Sequence, residues 1–237
     1  MGKNLIQQAR GKGGPSYRSV GFKFAGEAKL HGPVSQLVNG KVVNFIKCPG
    51  HAAPLAEIEY DDKTTCLVMA PEFVKVGDKV QVGPGSDIAP GNILSLKDIP
   101  EGVPIFCIEL RPGDGGKFCR TSGSFARIVS KTQDNVVIRL PSKKQHAFDL
   151  NCRACIGVIA GTGRTEKPIL KAGKRHHARR AKNKRYPFIS GAAQNAVDHP
   201  FGNSRSSRKS KRRSASHFAP PGRKVGSLWP KRTGKRK

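Results

Sequence analysis

The chain has 237 residues, with 44 Lys and Arg against 16 Asp and Glu, a formal charge of +28 and a pI near 10.5. Only 6% of it is aromatic, and no run approaches the ~18 consecutive apolar residues of a membrane-spanning helix. The opening Met1-Gly2-Lys3-Asn4-Leu5-Ile6 lacks the long apolar run of a secretory signal, and six cysteines do not suit a disulfide framework here, so the composition argues against a secreted, membrane-spanning or disulfide-stapled protein and for a polyanion binder.

Residues 1–30 carry six basic side chains and one acid, a net +5, and are rich in Gly, Lys, Arg and Ser without sustained periodicity. Such a segment buries too little apolar surface to offset chain entropy and is expected to be disordered alone. Residues 31–170 are nearly balanced, with 17 basic and 14 acidic side chains, and read as β structure. Val42, Val43, Phe45 and Ile46 lie in one candidate strand, opened by Asn39-Gly40. In residues 55–60, Ala56, Ile58 and Tyr60 alternate with Glu57 and Glu59, the period of a half-buried strand. Asp61-Asp62-Lys63 then turns the chain into residues 64–70, which predicts a hairpin. Val74, Val76, Val80 and Val82 continue the pattern, and Gly83-Pro84-Gly85 and Pro90-Gly91 interrupt it.

A second group of five short strands is predicted over residues 104–110, 125–131, 136–140, 145–150 and 155–160, with turn residues between them. Short strands at regular spacing favour small barrels, whose closure removes exposed edges. The expectation is two barrels joined near residues 88–92.

Two motifs within this region invite chemical readings. Gly113-Asp114-Gly115-Gly116-Lys117 superficially resembles a phosphate loop, but Arg111 stands where the first glycine belongs and Phe118 where Ser or Thr belongs. A flexible turn is the expected role. Cys152-Arg153-Ala154-Cys155 is the only CxxC, with no second pair, and His176-His177 are adjacent rather than three to five residues apart, so no zinc site is expected. Cys155 opens an apolar run, where a thiol behaves as a small hydrophobe.

Residues 171–237 carry 21 basic side chains and one acid, Asp198, a net +20. A short helix fits within residues 171–184, although Gly173 weakens it. Residues 204–216 are rich in Ser, Lys and Arg. Asp198-His199 is the one pair that could pass for acid–base machinery, yet no nucleophile or second acid accompanies it, and the surrounding cations would favour neutral imidazole. A contact role is expected, and no enzyme.

The stretch Ala192-Ala193-Gln194-Asn195-Ala196-Val197-Asp198-His199-Pro200-Phe201-Gly202 resembles the signature of the universal large-subunit ribosomal protein L-two family. Ala219-Pro220-Pro221-Gly222-Arg223-Lys224-Val225-Gly226 followed by Lys231-Arg232-Thr233-Gly234 is similar to the close of its archaeal and eukaryotic branch. Arg111-Pro112-Gly113-Asp114-Gly115-Gly116-Lys117, Cys152-Arg153-Ala154, residues 163–173, Ala70-Pro71-Glu72 and Ile88-Ala89-Pro90-Gly91-Asn92 fit the same pattern in the same order. Departures are Gln194 in place of the usual Met, Gly202-Asn203-Ser204 in place of a glycine run, and Cys155 in place of a common Thr.

The resemblance implies a mainly β fold with basic extensions: a basic arm over 1–30, an OB-fold barrel over 31–88, an SH3-like barrel over 89–170 and a basic arm over 171–237. It implies a cytoplasmic structural constituent of the large ribosomal subunit that binds large-subunit rRNA, supports assembly, subunit association and tRNA binding, and helps organise the peptidyl transferase region. The partners implied are rRNA, neighbouring ribosomal proteins and the small subunit across a bridge, with tRNA nearby and no membrane. No cofactor, metal or catalytic residue is expected. Candidate RNA-binding residues are Arg10, Lys12 and Arg18 in the first arm, and Lys117, Arg120, Arg153 and Arg164 in the middle. In the second arm they are Lys171, Lys174, Arg175, His176, His177, Arg179, Arg180, Lys182, Asn195, Asp198, His199, Arg223, Lys224, Lys231 and Arg232. Among these, Arg120 matches a position linked to RNA binding in the family, and Asp198 and His199 fall in the segment that approaches the peptidyl transferase region. Two other classes make different demands. A mobile translation factor would not stay on large subunits through a high-salt wash, and a metalloenzyme or peptidyl transferase proper would need metal or a working His199.

Overall fold

A computed structural model describes residues 3–203 and 214–228. The chain divides into two units, Gly21–Pro168 and Met1–Val20 with Ile169–Lys237. Among the described residues the structure is mainly β, with two short α-helices, and no helix is long and apolar enough to cross a membrane.

Ten strands of the Gly21–Pro168 unit form one hydrogen-bonded ladder. They are β1 Val38–Ile46, β2 Leu55–Tyr60, β3 Thr65–Met69, β4 Lys79–Val82, β5 Ile93–Ser95, β6 Pro104–Phe106, β7 Ala126–Lys131, β8 Asn135–Arg139, β9 Gln145–Asp149 and β10 Arg153–Ile156. Their order is β3-β2-β1-β4-β5-β10-β6-β7-β8-β9, antiparallel throughout except for β4 beside β5.

The expected hairpin is present. In β2, Leu55, Ala56, Ile58 and Tyr60 are buried, while Glu59 is exposed. Its turn is held by Asp62, whose carboxylate accepts from the hydroxyl and backbone N–H of Thr64 and is thereby held below the usual carboxylate range. The end of β1 differs from expectation, because Asn39-Gly40 lies inside the strand rather than before it. Gly40 sits opposite Tyr60, and a Cβ there would come within 2.5 Å of the ring. The glycine marks a close approach, not a turn.

β1 and β7 each carry a bulge, between Val42 and Asn44 and between Ile128 and Ser130. The extra residues, Val43 and Val129, are exposed because a bulge interrupts the alternation and bends the strand. Val74 and Val76 lie in a loop before β4, not in a strand.

Two hydrophobic clusters lie along the ladder. One gathers Leu55, Ile58, Tyr60, Met69, Val80 and Ile93. The other gathers Leu94, Leu96, Ile105, Ile128, Ile138 and Phe148. Ile93 and Leu94 are adjacent on β5 yet belong to different clusters, as do Ala154 and Cys155 on β10. These central strands are buried on both faces, so they show no polar alternation in the sequence. That is why β5, three residues long, escapes a periodicity reading.

Ala28 and Leu30, within the segment expected as an arm, are buried in the first cluster. The backbone N–H of Lys29 donates to Leu67, and that of Leu30 to Gly115. The compact unit therefore begins at Gly21, ahead of the expected boundary at residue 30.

The other unit contains α1 Ile6–Gly11, α2 Ala172–Arg180 and the short parallel pair β11 Ser214–Ala215 and β12 Ser227–Leu228. α2 falls within the expected 171–184 window despite Gly173, whereas α1 has no counterpart in the sequence reading. Neither helix has a buried residue. Leu5 and Val225 are the buried apolar side chains among the described residues of this unit.

Candidate nucleic-acid interface

The glycine loop of the Gly21–Pro168 unit is shaped by two carboxylates. Gly113, Gly115 and Gly116 have φ of 83°, 78° and 88°, which side chains rarely adopt. Their N–H groups do not converge on open space. Glu109 accepts from Gly113 at 3.2 Å and Gly115 at 3.1 Å, and Asp114 accepts from Gly116 at 3.0 Å. A phosphate loop needs these donors free, and carboxylates in their place repel a phosphate. The motif is a turn closed on its own carboxylates. What the loop offers outward is the exposed Lys117.

Glu109 is fully buried and is matched by Arg153. The guanidinium meets it through Nη2 at 2.6 Å and Nε at 3.2 Å, and the Arg153 backbone N–H adds a third contact at 2.9 Å. Arg153 Nη1 donates to the carbonyls of His31 and Gly32, both at 2.7 Å. Buried charges persist when paired and hydrogen-bonded, and this pair is both. Arg120 acts in the same place: its Nη2 donates to the Ala28 carbonyl at 2.6 Å. Two of the four candidate cations of the middle region therefore strap residues 28–32 to the ladder. The other two, Lys117 and Arg164, are exposed, and Arg164 Nε donates to Ser122 Oγ at 2.7 Å. Glu109 itself was missed; its signal was a lone acid in an otherwise apolar stretch, Ile105-Phe106-Cys107-Ile108-Glu109.

The CxxC thiols part company. Cys152 packs in the second cluster and Cys155 in the first, so the two cannot share a metal. Among the described residues no group of three or more His, Cys, Asp or Glu could hold one. Burial pushes the Cys152 thiol up to about 11, and does the same to Cys107, which keeps both protonated and poorly nucleophilic.

In the terminal unit the candidate cations are mostly exposed. α2 presents Lys174, Arg175, His176, His177 and Arg180 to solvent, with Lys171 at its start and Arg179 half-buried. Arg175 lies 6.0 Å from the Tyr186 ring and Arg185 5.5 Å from that of Phe188, which is 72% exposed. Asn183 Nδ2 donates to the carbonyls of Pro15 and Arg18, joining the segment after α2 to residues 15–18. As a result Arg10 and Arg18 share one groove of about 460 Å³ with Arg179 and Lys182, lined also by Tyr17 and Phe188. Basic groups interleaved with aromatic faces suit single-stranded nucleic acid. Lys12, Arg223 and Lys224 are exposed elsewhere in the unit, and Lys231 and Arg232 lie outside the described residues.

Asp198 and His199 are set by a tight turn. Asn195, exposed itself, supplies the carbonyl that accepts from both of their backbone N–H groups. The Asp198 carboxylate is directed to Lys3 Nζ, 3.9 Å away. The imidazole instead accepts from the Phe201 N–H through Nδ1 at 3.0 Å and rests on Gly191, where a Cβ would fall 2.7 Å from Nδ1. Burial lowers the His199 pKa, consistent with an Nδ1 that accepts. The carboxylate thus does not orient the ring, as an acid–base pair would require. Both residues border a groove of about 630 Å³ with Ile6, Arg185 and Phe188.

Residues 89–219 match the family described as Ribosomal Proteins L2, C-terminal domain. The chain is 46% identical over 241 residues to the Large ribosomal subunit protein uL2 of Methanothermobacter thermautotrophicus, with 100% of both chains covered. It is 46% identical over 237 residues to the protein of that name from Halorubrum lacusprofundi, covering 99% of this chain and 98% of the relative. The counterpart from Archaeoglobus fulgidus is 45% identical over 237 residues, again with 100% of both covered.

Proposed function

Because the chain belongs to the L2 family of large-subunit ribosomal proteins, we propose that it is a structural constituent of the large ribosomal subunit that binds large-subunit rRNA. The observation that carries this reading is the separation of charge from core. The terminal unit holds 25 Lys and Arg against one acid, a net +24, while nearly every buried apolar side chain lies in Gly21–Pro168. Such a segment gains little by packing on itself and much by neutralising phosphates. Arginine adds bidentate phosphate binding and stacking on unpaired bases.

In this reading the ladder holds an OB-fold barrel over 31–88 and an SH3-like barrel over 89–170; two separate hydrophobic clusters support two cores, the first of which also takes in Ile93, Phe106, Cys155 and Ile159 from beyond that boundary. The exposed cations Arg10, Lys12, Arg18, Lys117, Arg164, Lys171, Lys174, Arg175, Arg180, Lys182, Arg223 and Lys224 and the half-buried Arg179 contact rRNA, with His176, His177, Asn195, Asp198 and His199 beside them. Lys231 and Arg232 extend the same charge. Arg120 and Arg153 act through the loop and strap they hold. The reading includes support of assembly, subunit association across a bridge to the small subunit, tRNA binding and organisation of the peptidyl transferase region. So do neighbouring ribosomal proteins as partners and a cytoplasmic ribosome as location. No step of chemistry is assigned to the protein itself.

Sedimentation tests the reading. The protein should co-migrate with large subunits in about one copy each and stay there through a high-salt wash. Release by salt, or migration with free factors, would overturn it.

A further inference from the structure

The register of β7 and β8 places Arg127 directly opposite Arg139, so the two exposed guanidinium groups share one face of the ladder. Like charges directly opposite destabilise a strand pair. Among the described residues neither arginine has a carboxylate within ion-pair distance. Lys143 adds a third cation from the turn after β8, where it holds a φ of 65° and donates its N–H to the Leu140 carbonyl. The three border an open groove of about 420 Å³ whose remaining lining includes Phe125, Leu140 and Pro141 and no acid. Phe125 is 37% exposed, with the Arg127 guanidinium 5.4 Å from its ring centre.

Water solvates the cations but not the ring and proline faces, and it leaves the repulsion between the arginines in place. A ligand with a flat apolar face next to a negative group answers both costs. An unpaired nucleotide has that shape: its base can stack on an aromatic or guanidinium plane, and its phosphate accepts forked donors from two arginines. We propose that this groove takes one unpaired RNA nucleotide, its base against Phe125 and Pro141 and its phosphate between Arg127 and Arg139. The proposal rests on the rRNA-binding reading above and adds to it a site in the nearly neutral unit.

The test is photocrosslinking of the full-length protein to a hexauridylate bearing 4-thiouridine, followed by mapping of the modified peptide across a salt series. A crosslink in residues 121–127 is expected. Its yield should fall about tenfold in Arg127→Gln/Arg139→Gln, with a binding slope against log salt shallower by about 1–2. The thermal midpoint of that variant should hold or rise, since the repulsion is gone. If the double variant instead proves unstable, Phe125→Leu carries the test: it keeps both charges, so the yield should fall while the salt slope stays. A crosslink confined to residues 1–20 and 169–237, or an unchanged yield in both variants, would overturn the groove. So would equal competition by an acidic, aromatic-bearing peptide, which would assign the groove to a protein partner. Failure of the protein to bind either hexauridylate or large-subunit rRNA would overturn the rRNA-binding reading itself, a result distinct from binding with a silent groove.

Discussion

The two units solve opposite problems with one chain. Gly21–Pro168 carries 19 basic and 15 acidic side chains and nearly all the buried apolar ones, so its folding is driven by burial. The terminal unit carries a net +24, and Leu5 and Val225 are its buried apolar side chains among the described residues. Local turns and single hydrogen bonds such as Asn183 to Pro15 and Arg18 shape it instead. The difference teaches that burial and excess charge are written into separate stretches of sequence, and each can be disturbed without the other.

The largest effect should come from removing the terminal unit. A fragment of residues 21–168 should unfold cooperatively and bind rRNA more weakly at low salt than the full chain. If about ten terminal side chains meet phosphates, the log–log salt slope of the full chain should be steeper by roughly 7–9, from the coefficients for single- and double-stranded nucleic acid. Preference for cognate over scrambled RNA should survive largely in the fragment, because phosphate contacts carry no sequence information. Binding of both proteins across a salt series checks this, and equal slopes would dissolve the contrast.

Two ion pairs sharpen it next. Glu109→Ala leaves a buried guanidinium unpaired, which costs about 3–5 kcal/mol. At roughly 2–4 °C per kcal/mol, the thermal midpoint of the Gly21–Pro168 unit should drop by about 10 °C. Asp198→Ala removes an exposed pair at 3.9 Å and should change stability by less than ~1 kcal/mol. Calorimetry of both variants decides the matter; equal shifts would mean that burial is not what separates the units.

A smaller effect is expected at Gly40. The alanine Cβ would press on the Tyr60 ring at 2.5 Å, an overpacking of about 1–3 kcal/mol. Denaturant midpoints of Gly40→Ala against Gly11→Ala, whose site is open, should show the loss only at the first.

The smallest concerns pH. Burial lowers the His199 pKa below the ordinary histidine value, so the native turn favours neutral imidazole. Its support is complete above that ordinary value and is lost as pH falls through it towards the lowered one. NMR titration of His199 in the full chain should show the depressed value. An ordinary one would mean that the 195–202 turn does not persist without RNA.

Much of this was legible in the residues themselves. The Leu55–Tyr60 alternation and its Asp62 turn were readable because one face of that hairpin is buried and the other is not. β5 was not readable, since Ile93 and Leu94 are both buried, in different clusters, and leave no polar residue to set a period. Ala28 and Leu30 were hidden among charged neighbours, because nothing local reveals that an extended segment will be strapped down by Arg120 and Arg153. Arg153 looked like a surface cation because its partner, Glu109, is 44 residues away.

The sequence by itself determined where charge lies, the strand-rich middle, and the absence of a second ligand pair for the CxxC motif. Those are properties of composition and short spacing, which do not depend on distant residues. Only the tertiary structure decided that the glycine loop turns its donors onto Glu109 and Asp114, that Cys152 and Cys155 enter different cores, and that Arg127 stands opposite Arg139 at the border of a groove. Each of these depends on register or on partners far apart in the chain, and a one-residue slip of a strand would send the same side chains to the opposite face.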